Sequence, residues 1–69
     1  MISYKPFWKT LEKRNLNQYV LCEQYEISRS LLDKLRHDKD VRLSTIDRLC
    51  EILDCSIEDI VEIVSEDIK

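Results

Sequence analysis

Apolar side chains recur along this chain in short bursts at helical spacing, separated by brief polar breaks. Tyr4, Phe7, Trp8 and Leu11 predict a first helix over about 5–14, with Pro6 in the first turn and Lys13 and Arg14 closing it. Asn15-Leu16-Asn17 breaks the pattern, and Asn17 is a good N-cap for a second helix over about 18–25, marked by Val20, Leu21, Cys22 and Tyr25. After a very short break at Glu26-Ile27, Ser28 caps a third helix over about 29–37 carrying Leu31, Leu32 and Leu35. A polar loop from His37 to Asp40 follows, with Val41 and Leu43 expected to pin it to the core. Ser44-x-x-Asp47 reads as a capping box for a fourth helix over about 45–54, striped by Ile46, Leu49, Cys50 and Leu53. Ser56-x-x-Asp59 repeats that signal before Ile57, Ile60, Val61 and Val64, predicting a fifth helix over about 57–66. The β-branched content there is unfavourable, but the cap and the charges at 58, 59 and 62 favour helix. The expected fold is all-α, a compact bundle of five short helices in a single domain over 1–69.

The most informative stretch runs from about 17 to 37. Two short helices joined by so brief a break cannot lie parallel and must cross steeply, as in a helix-turn-helix. Leu21, Tyr25, Ile27, Leu32 and Leu35 form the expected inner seam, with the small Cys22 where the helices approach. The outward face of the third helix is then Ser28, Arg29, Ser30, Asp33, Lys34 and His37. Each can donate or accept hydrogen bonds, the chemistry needed to read base edges in a major groove.

Composition narrows the alternatives. The chain has 69 residues, no glycine and one histidine. Without glycine, phosphate-cradling loops and dinucleotide fingerprints lack their usual residue, and helices must end without the usual C′ glycine. Cys22, Cys50 and Cys55 form no C-x-x-C pair, so they read as buried free thiols, with no metal site. A bundle of this size with a single His has no catalytic constellation, and neither an enzyme nor a cofactor is expected. The longest apolar run, Tyr19 to Cys22, is too short to cross a membrane, and the N-terminus lacks an apolar signal core, so a cytoplasmic location is expected.

In order, spacing and length the chain resembles the Cro/repressor-type (Xre) helix-turn-helix domains, particularly the small stand-alone regulators with a lambda repressor-like fold. The resemblance rests on Asn17-Gln18, Leu21-Cys22, Ile27-Ser28, Leu32 and Leu35, on the stretch Leu49 to Ile60, and on Ser3 to Lys9, and so covers nearly the whole chain. It implies sequence-specific binding of double-stranded DNA and transcriptional regulation, as a repressor and as a homodimer, without a small-molecule effector domain. Gln18 matches a glutamine that contacts the phosphate backbone. Ser28, Arg29 and Ser30 match the start of the recognition helix, with Arg29 placed for a bidentate contact to guanine. Lys34 and His37 lie further along, within reach of bases or phosphates. Asp33 either accepts from a cytosine amino group or pairs with His37. Two positions depart from the family. The turn before Ile27 usually carries glycine, and here it is Glu26. Leu31 stands where a small polar residue is common.

The net charge of −3 conceals a division. Residues 1–42 carry nine cations against six acids, whereas residues 43–69 carry two against eight. An acidic total therefore does not exclude DNA; it predicts that the C-terminal part faces away from the duplex. The acids Glu58, Asp59, Glu62, Glu66 and Asp67 read as a solvated helix face, and the apolar surplus of the fifth helix as cover for a second subunit. The alternative is a helix-turn-helix scaffold acting as a protein-binding module, antitoxin-like or antirepressor-like, for which Glu26, Asp33 and the acidic end speak.

Overall fold

The computed structural model describes residues 1–65. Four α-helices pack around one core: α1 (Lys5–Lys13), α2 (Gln18–Gln24), α3 (Arg29–Arg36) and α4 (Leu43–Leu53). A short 3₁₀ turn (Ile57–Asp59) follows, and two short strands, β1 (Ile2–Ser3) and β2 (Glu62–Ile63), pair antiparallel with Ile2 opposite Ile63. Tyr4 and Phe7 from α1 and its entry, Leu21, Leu32 and Leu35 from the helix-turn-helix, Leu49 and Leu53 from α4, and Ile60 form the buried centre. The predicted seam forms as expected at Leu21, Ile27, Leu32 and Leu35, while Tyr25 packs on the core from its edge.

Two expected caps are present. The Asn17 side chain accepts from the Val20 N–H at 2.9 Å, and Ser28 Oγ from the Leu31 N–H at 3.1 Å. The third is not. The fourth helix starts at Leu43, two residues before the sequence reading places it, because the Arg42 carbonyl accepts from the N–H groups of both Thr45 and Ile46 at 3.0 Å. Ser44 therefore lies inside the helix. Leu43, expected to pin the loop, is 75% exposed on its first turn, and Val41 alone packs on the core.

The predicted fifth helix is a correction. The chain makes a single 3₁₀ turn and then β2, and the remainder of the prediction, at residue 66, lies outside the described residues. Ile57, Ile60, Val61, Ile63 and Val64 lose side-chain freedom in a helix, and the N-terminal strand offers them a ladder instead. Val64 N–H donates to the Met1 carbonyl at 2.7 Å, and the N-terminal ammonium donates to the Val64 carbonyl at 2.9 Å. No hairpin is needed, so the lack of glycine is no obstacle. Glu58, Asp59 and Glu62 are exposed, but on a turn and a strand rather than a helix face. Of the apolar surplus, Ile60 is buried and Val61 half-buried, leaving Ile63 and Val64 outside. The capping box survives between Ser56 and Asp59, with the Asp59 carboxylate accepting from the Ser56 N–H at 3.2 Å.

Each α-helix ends in a left-handed residue that is not glycine. Asn15, Glu26, Asp38 and Asp54 have φ of 58, 58, 56 and 52°. Behind three of them the chain closes with the six-to-one bond of a Schellman motif: Leu16 N–H to Leu11 O, Lys39 N–H to Lys34 O and Cys55 N–H to Cys50 O, at 2.9–3.0 Å. Asn and Asp tolerate this region through local hydrogen bonding, whereas Glu does so poorly. The turn at Glu26 is thus left-handed without the glycine that the resemblance leads one to expect. It is held by the Ile27 N–H on the Leu21 carbonyl at 3.1 Å, and by Arg48 donating to the Tyr25 carbonyl at 2.6 Å. Glu26→Gly is expected to raise stability by about 1 kcal/mol, which is a rise of roughly 4–8 °C in Tm for a domain this small. Thermal unfolding followed by circular dichroism measures it.

The loop after α3 is tied back to the N-terminus. Asp38 accepts from the Tyr4 N–H at 3.0 Å, and the Tyr4 hydroxyl donates to the Lys39 carbonyl at 2.6 Å. Burial first, then the carboxylates of Asp40 and Asp38, push the Tyr4 hydroxyl above its usual value of 10.0. The unfolded chain therefore ionises at Tyr4 before the folded one does. Its contribution is complete below about pH 10 and lost as the pH rises beyond. Tyr4→Phe is expected to cost about 1 kcal/mol at pH 7. Urea midpoints of wild type and variant should draw together as the pH is raised through that range.

Candidate nucleic-acid interface

The helix-turn-helix presents α3 on the outside of the bundle. Leu32 and Leu35 anchor one side of it in the core, and Leu31 is half-buried against that core. The opposite side exposes Ser28, Arg29, Ser30, Asp33, Lys34 and His37, all the residues that the sequence singled out on this helix. Ser28 spends its hydroxyl on the cap and lies 3.3 Å from the Ser30 hydroxyl, so this pair shapes the helix start as well as facing solvent. Arg29 is the first residue of α3 and, among the described residues, makes no hydrogen bond or ion pair with the protein.

The other members are less free. Asp33 Oδ1 lies 3.6 Å from Arg36 and 3.4 Å from His37 Nδ1, so its carboxylate faces a guanidinium and an imidazole on its own helix. Asp33 is thus placed to pair with His37, one of the two roles the sequence leaves open to it. The His37 Nδ1 is 2.9 Å from the Asp33 carbonyl, which can only accept, so Nδ1 carries a proton. The neutral ring then offers Nε2 as an acceptor and can donate to a phosphate only when protonated. Lys34 stands exposed in the last turn.

Gln18, at the first turn of α2, is exposed and joined to α3 through Arg36, whose Nη2 donates to Gln18 Oε1 at 2.7 Å. Two shallow grooves flank α3. One, of about 380 Å³, runs between α2 and α3 and includes Gln18, Tyr19, Cys22, Arg29 and Arg36. The other, of about 650 Å³, lies between α3 and the start of α4 and includes Ser30, Lys34, Arg42 and Thr45. Sequence reasoning missed Tyr19, Arg36, Arg42 and Thr45. Tyr19 is 72% exposed. Arg42 became legible only once α4 was seen to begin at Leu43, which puts its guanidinium beside the third helix.

The thiols take no part in this face beyond Cys22, and all three are free and half-buried rather than fully buried. Burial pushes the Cys50 thiol up, and burial together with the neighbouring Cys50 pushes Cys55 up to about 11. Both are therefore protonated at neutral pH and are poor nucleophiles. Among the described residues no cluster of three His, Cys, Asp or Glu is placed to hold a metal, and no helix is long and apolar enough to cross a membrane.

Comparison with known proteins agrees with this geometry. No curated protein matches the chain. Among solved structures, the fold is similar to the crystal structure of the transcriptional regulator VanUg (form II). The TM-score is 0.82 at 34% identity, covering 94% of this chain and 87% of that one. The family model for the Cro/C1-type HTH DNA-binding domain matches residues 7–66, and that span includes every α3 and α2 position described above. The chain belongs to the Cro/C1-type helix-turn-helix DNA-binding family.

Proposed function

We propose that this protein is a transcriptional regulator, acting as a repressor, that binds duplex DNA by laying the N-terminal end of α3 in the major groove. The observation that carries this reading is Arg29: an exposed guanidinium at the first position of a protruding helix, unengaged by the protein among the described residues. Its fork matches the O6 and N7 acceptors of guanine. Ser28 and Ser30 flank it, Lys34 extends the same face, and Gln18 and Arg42 bracket the helix at positions suited to phosphates. His37 and Asp33 lie at the far end of α3 as a coupled pair, with a contact to the backbone open to His37. The neighbouring VanUg is a transcriptional regulator by its description, which agrees with the same use of the fold.

One α3 reads only a few base pairs, so the working unit is a symmetric pair of chains on a palindromic site, in the cytoplasm. The acid-rich segment after Leu43 faces away from the duplex. The protein-binding alternative drew on Glu26, Asp33 and the acidic end. Glu26 shares its backbone geometry with three other helix ends, and Asp33 is engaged by Arg36 and His37. Neither therefore needs a protein partner to account for it, and the alternative rests on the acidic end, exposed at Glu58, Asp59 and Glu62. The test is selection of bound duplexes from a random pool. A palindromic consensus with a guanine at a fixed position in each half-site is expected. Recovery of unenriched sequence would overturn the reading.

A further inference from the structure

Arg36 sits where three helices meet. Its guanidinium carbon lies 5.9 Å from the centroid of the Trp8 ring on α1. One nitrogen lies 3.6 Å from Asp33 on α3, and another donates to Gln18 Oε1 on α2 at 2.7 Å. Trp8 is itself fixed edge-on against the buried Phe7, with centroids 4.8 Å apart. The guanidinium is therefore held over the Trp8 ring and beside an acid, and it reaches the amide from there.

We propose that Arg36 is a positioning residue for DNA binding: by occupying the carbonyl oxygen of Gln18 it sets the amide so that its NH₂ group faces outward as a ready donor to a phosphate. A free glutamine side chain samples several rotamers, and its amide can present oxygen or nitrogen to an incoming phosphate. Presenting oxygen sets acceptor against acceptor. With Oε1 engaged by a cation, the nitrogen end is the one left for the DNA, and the ordering is done before binding. The same contact spans from α2 to α3, so it also holds the phosphate-facing residue in register with Arg29 in the groove beside it. Arg36 thus acts through Gln18. This inference rests on the proposal that Gln18 meets a phosphate.

The experiment is a double-mutant cycle on a duplex carrying the selected site. The four proteins are wild type, Gln18→Ala, Arg36→Met and the double variant, each compared in affinity and in the salt dependence of affinity. Met keeps much of the aliphatic stem, and thermal unfolding of each protein confirms its fold. Arg36→Met is expected to weaken binding about fivefold in the wild-type background and less than about twofold in the Gln18→Ala background. The salt slope should be nearly unchanged, since no phosphate contact by Arg36 itself is lost. An equal loss in both backgrounds, or a shallower salt slope, would show Arg36 acting on the DNA or the fold directly and would overturn the proposal. So would no loss in the wild-type background. If Gln18→Ala alone binds like wild type, then the phosphate role of Gln18 fails first and the positioning role falls with it. Should Arg36→Met not fold, Arg36→Lys, which keeps the charge and loses the planar fork, is read in the same cycle by the same criteria.

Discussion

Replacing Arg29 by alanine is expected to flatten sequence preference while leaving general DNA affinity largely in place. The side chain stands at the first position of α3 with its whole donor fork free of protein partners among the described residues. Arg29→Ala therefore removes no internal contact, and Ser28 continues to cap the helix at the Leu31 N–H. What is lost is a bidentate pair to guanine, about 1–3 kcal/mol per half-site, or roughly 5- to 150-fold in discrimination against the wrong base. Affinity for unrelated duplex, which depends on phosphates, should fall by much less. Competition binding with the selected site and with a variant changed at the guanine measures both quantities. Equal discrimination by wild type and Arg29→Ala would mean that another face of the bundle meets the DNA.

Truncating Leu35 is expected to have the largest effect on the fold itself. Leu35 is fully buried and, with Leu32, anchors α3 in the single core cluster to which α1, α2 and α4 also contribute. Leu→Ala at such sites costs about 2–5 kcal/mol. A domain of 69 residues has a total stability of only about 3–10 kcal/mol. Leu35→Ala should therefore leave the chain marginally folded or unfolded at 37 °C and without DNA binding. Leu31→Ala, one turn earlier on the same helix but half-buried, is the internal comparison and should cost about 1 kcal/mol. Urea unfolding monitored through Trp8 distinguishes the two. Comparable destabilisation of both would contradict the orientation of α3.

Much of this architecture was legible in the residues. The helix-turn-helix could be placed to within a residue at each end because its signals are local: Asn17 and Ser28 cap, and Leu21, Leu32 and Leu35 keep helical period. The face of α3 followed from the same period. What could not be read depended on partners far along the chain. Whether 57–64 winds or extends is decided by Met1 and Ile2, more than fifty residues earlier, through a ladder no local pattern announces. The start of α4 turned on which carbonyl accepts the first helical bonds, and Ser44 is a better cap by type than Arg42, which took the place. Arg36 was not singled out in the sequence because its partners, Trp8 and Gln18, lie on two other helices. Glu26 is a case of the opposite kind. The absence of glycine drew attention to that turn, and the backbone there is left-handed all the same, as it is at Asn15, Asp38 and Asp54.

The acidic total and the proposed function meet in one measurement. Affinity of the purified chain for its selected duplex should fall with salt as condensed cations are released from the phosphates that Lys34, Arg42 and neighbouring cations neutralise. With about two to four phosphates met per chain, and so about four to eight per pair, raising monovalent salt from about 50 to about 200 mM should weaken binding roughly 150- to 20,000-fold. A linear plot of log affinity against log salt with that slope is the result expected of a DNA-binding face on an otherwise acidic protein. No measurable duplex binding even at the lowest salt would contradict it, and would leave this helix-turn-helix as a surface for some other partner.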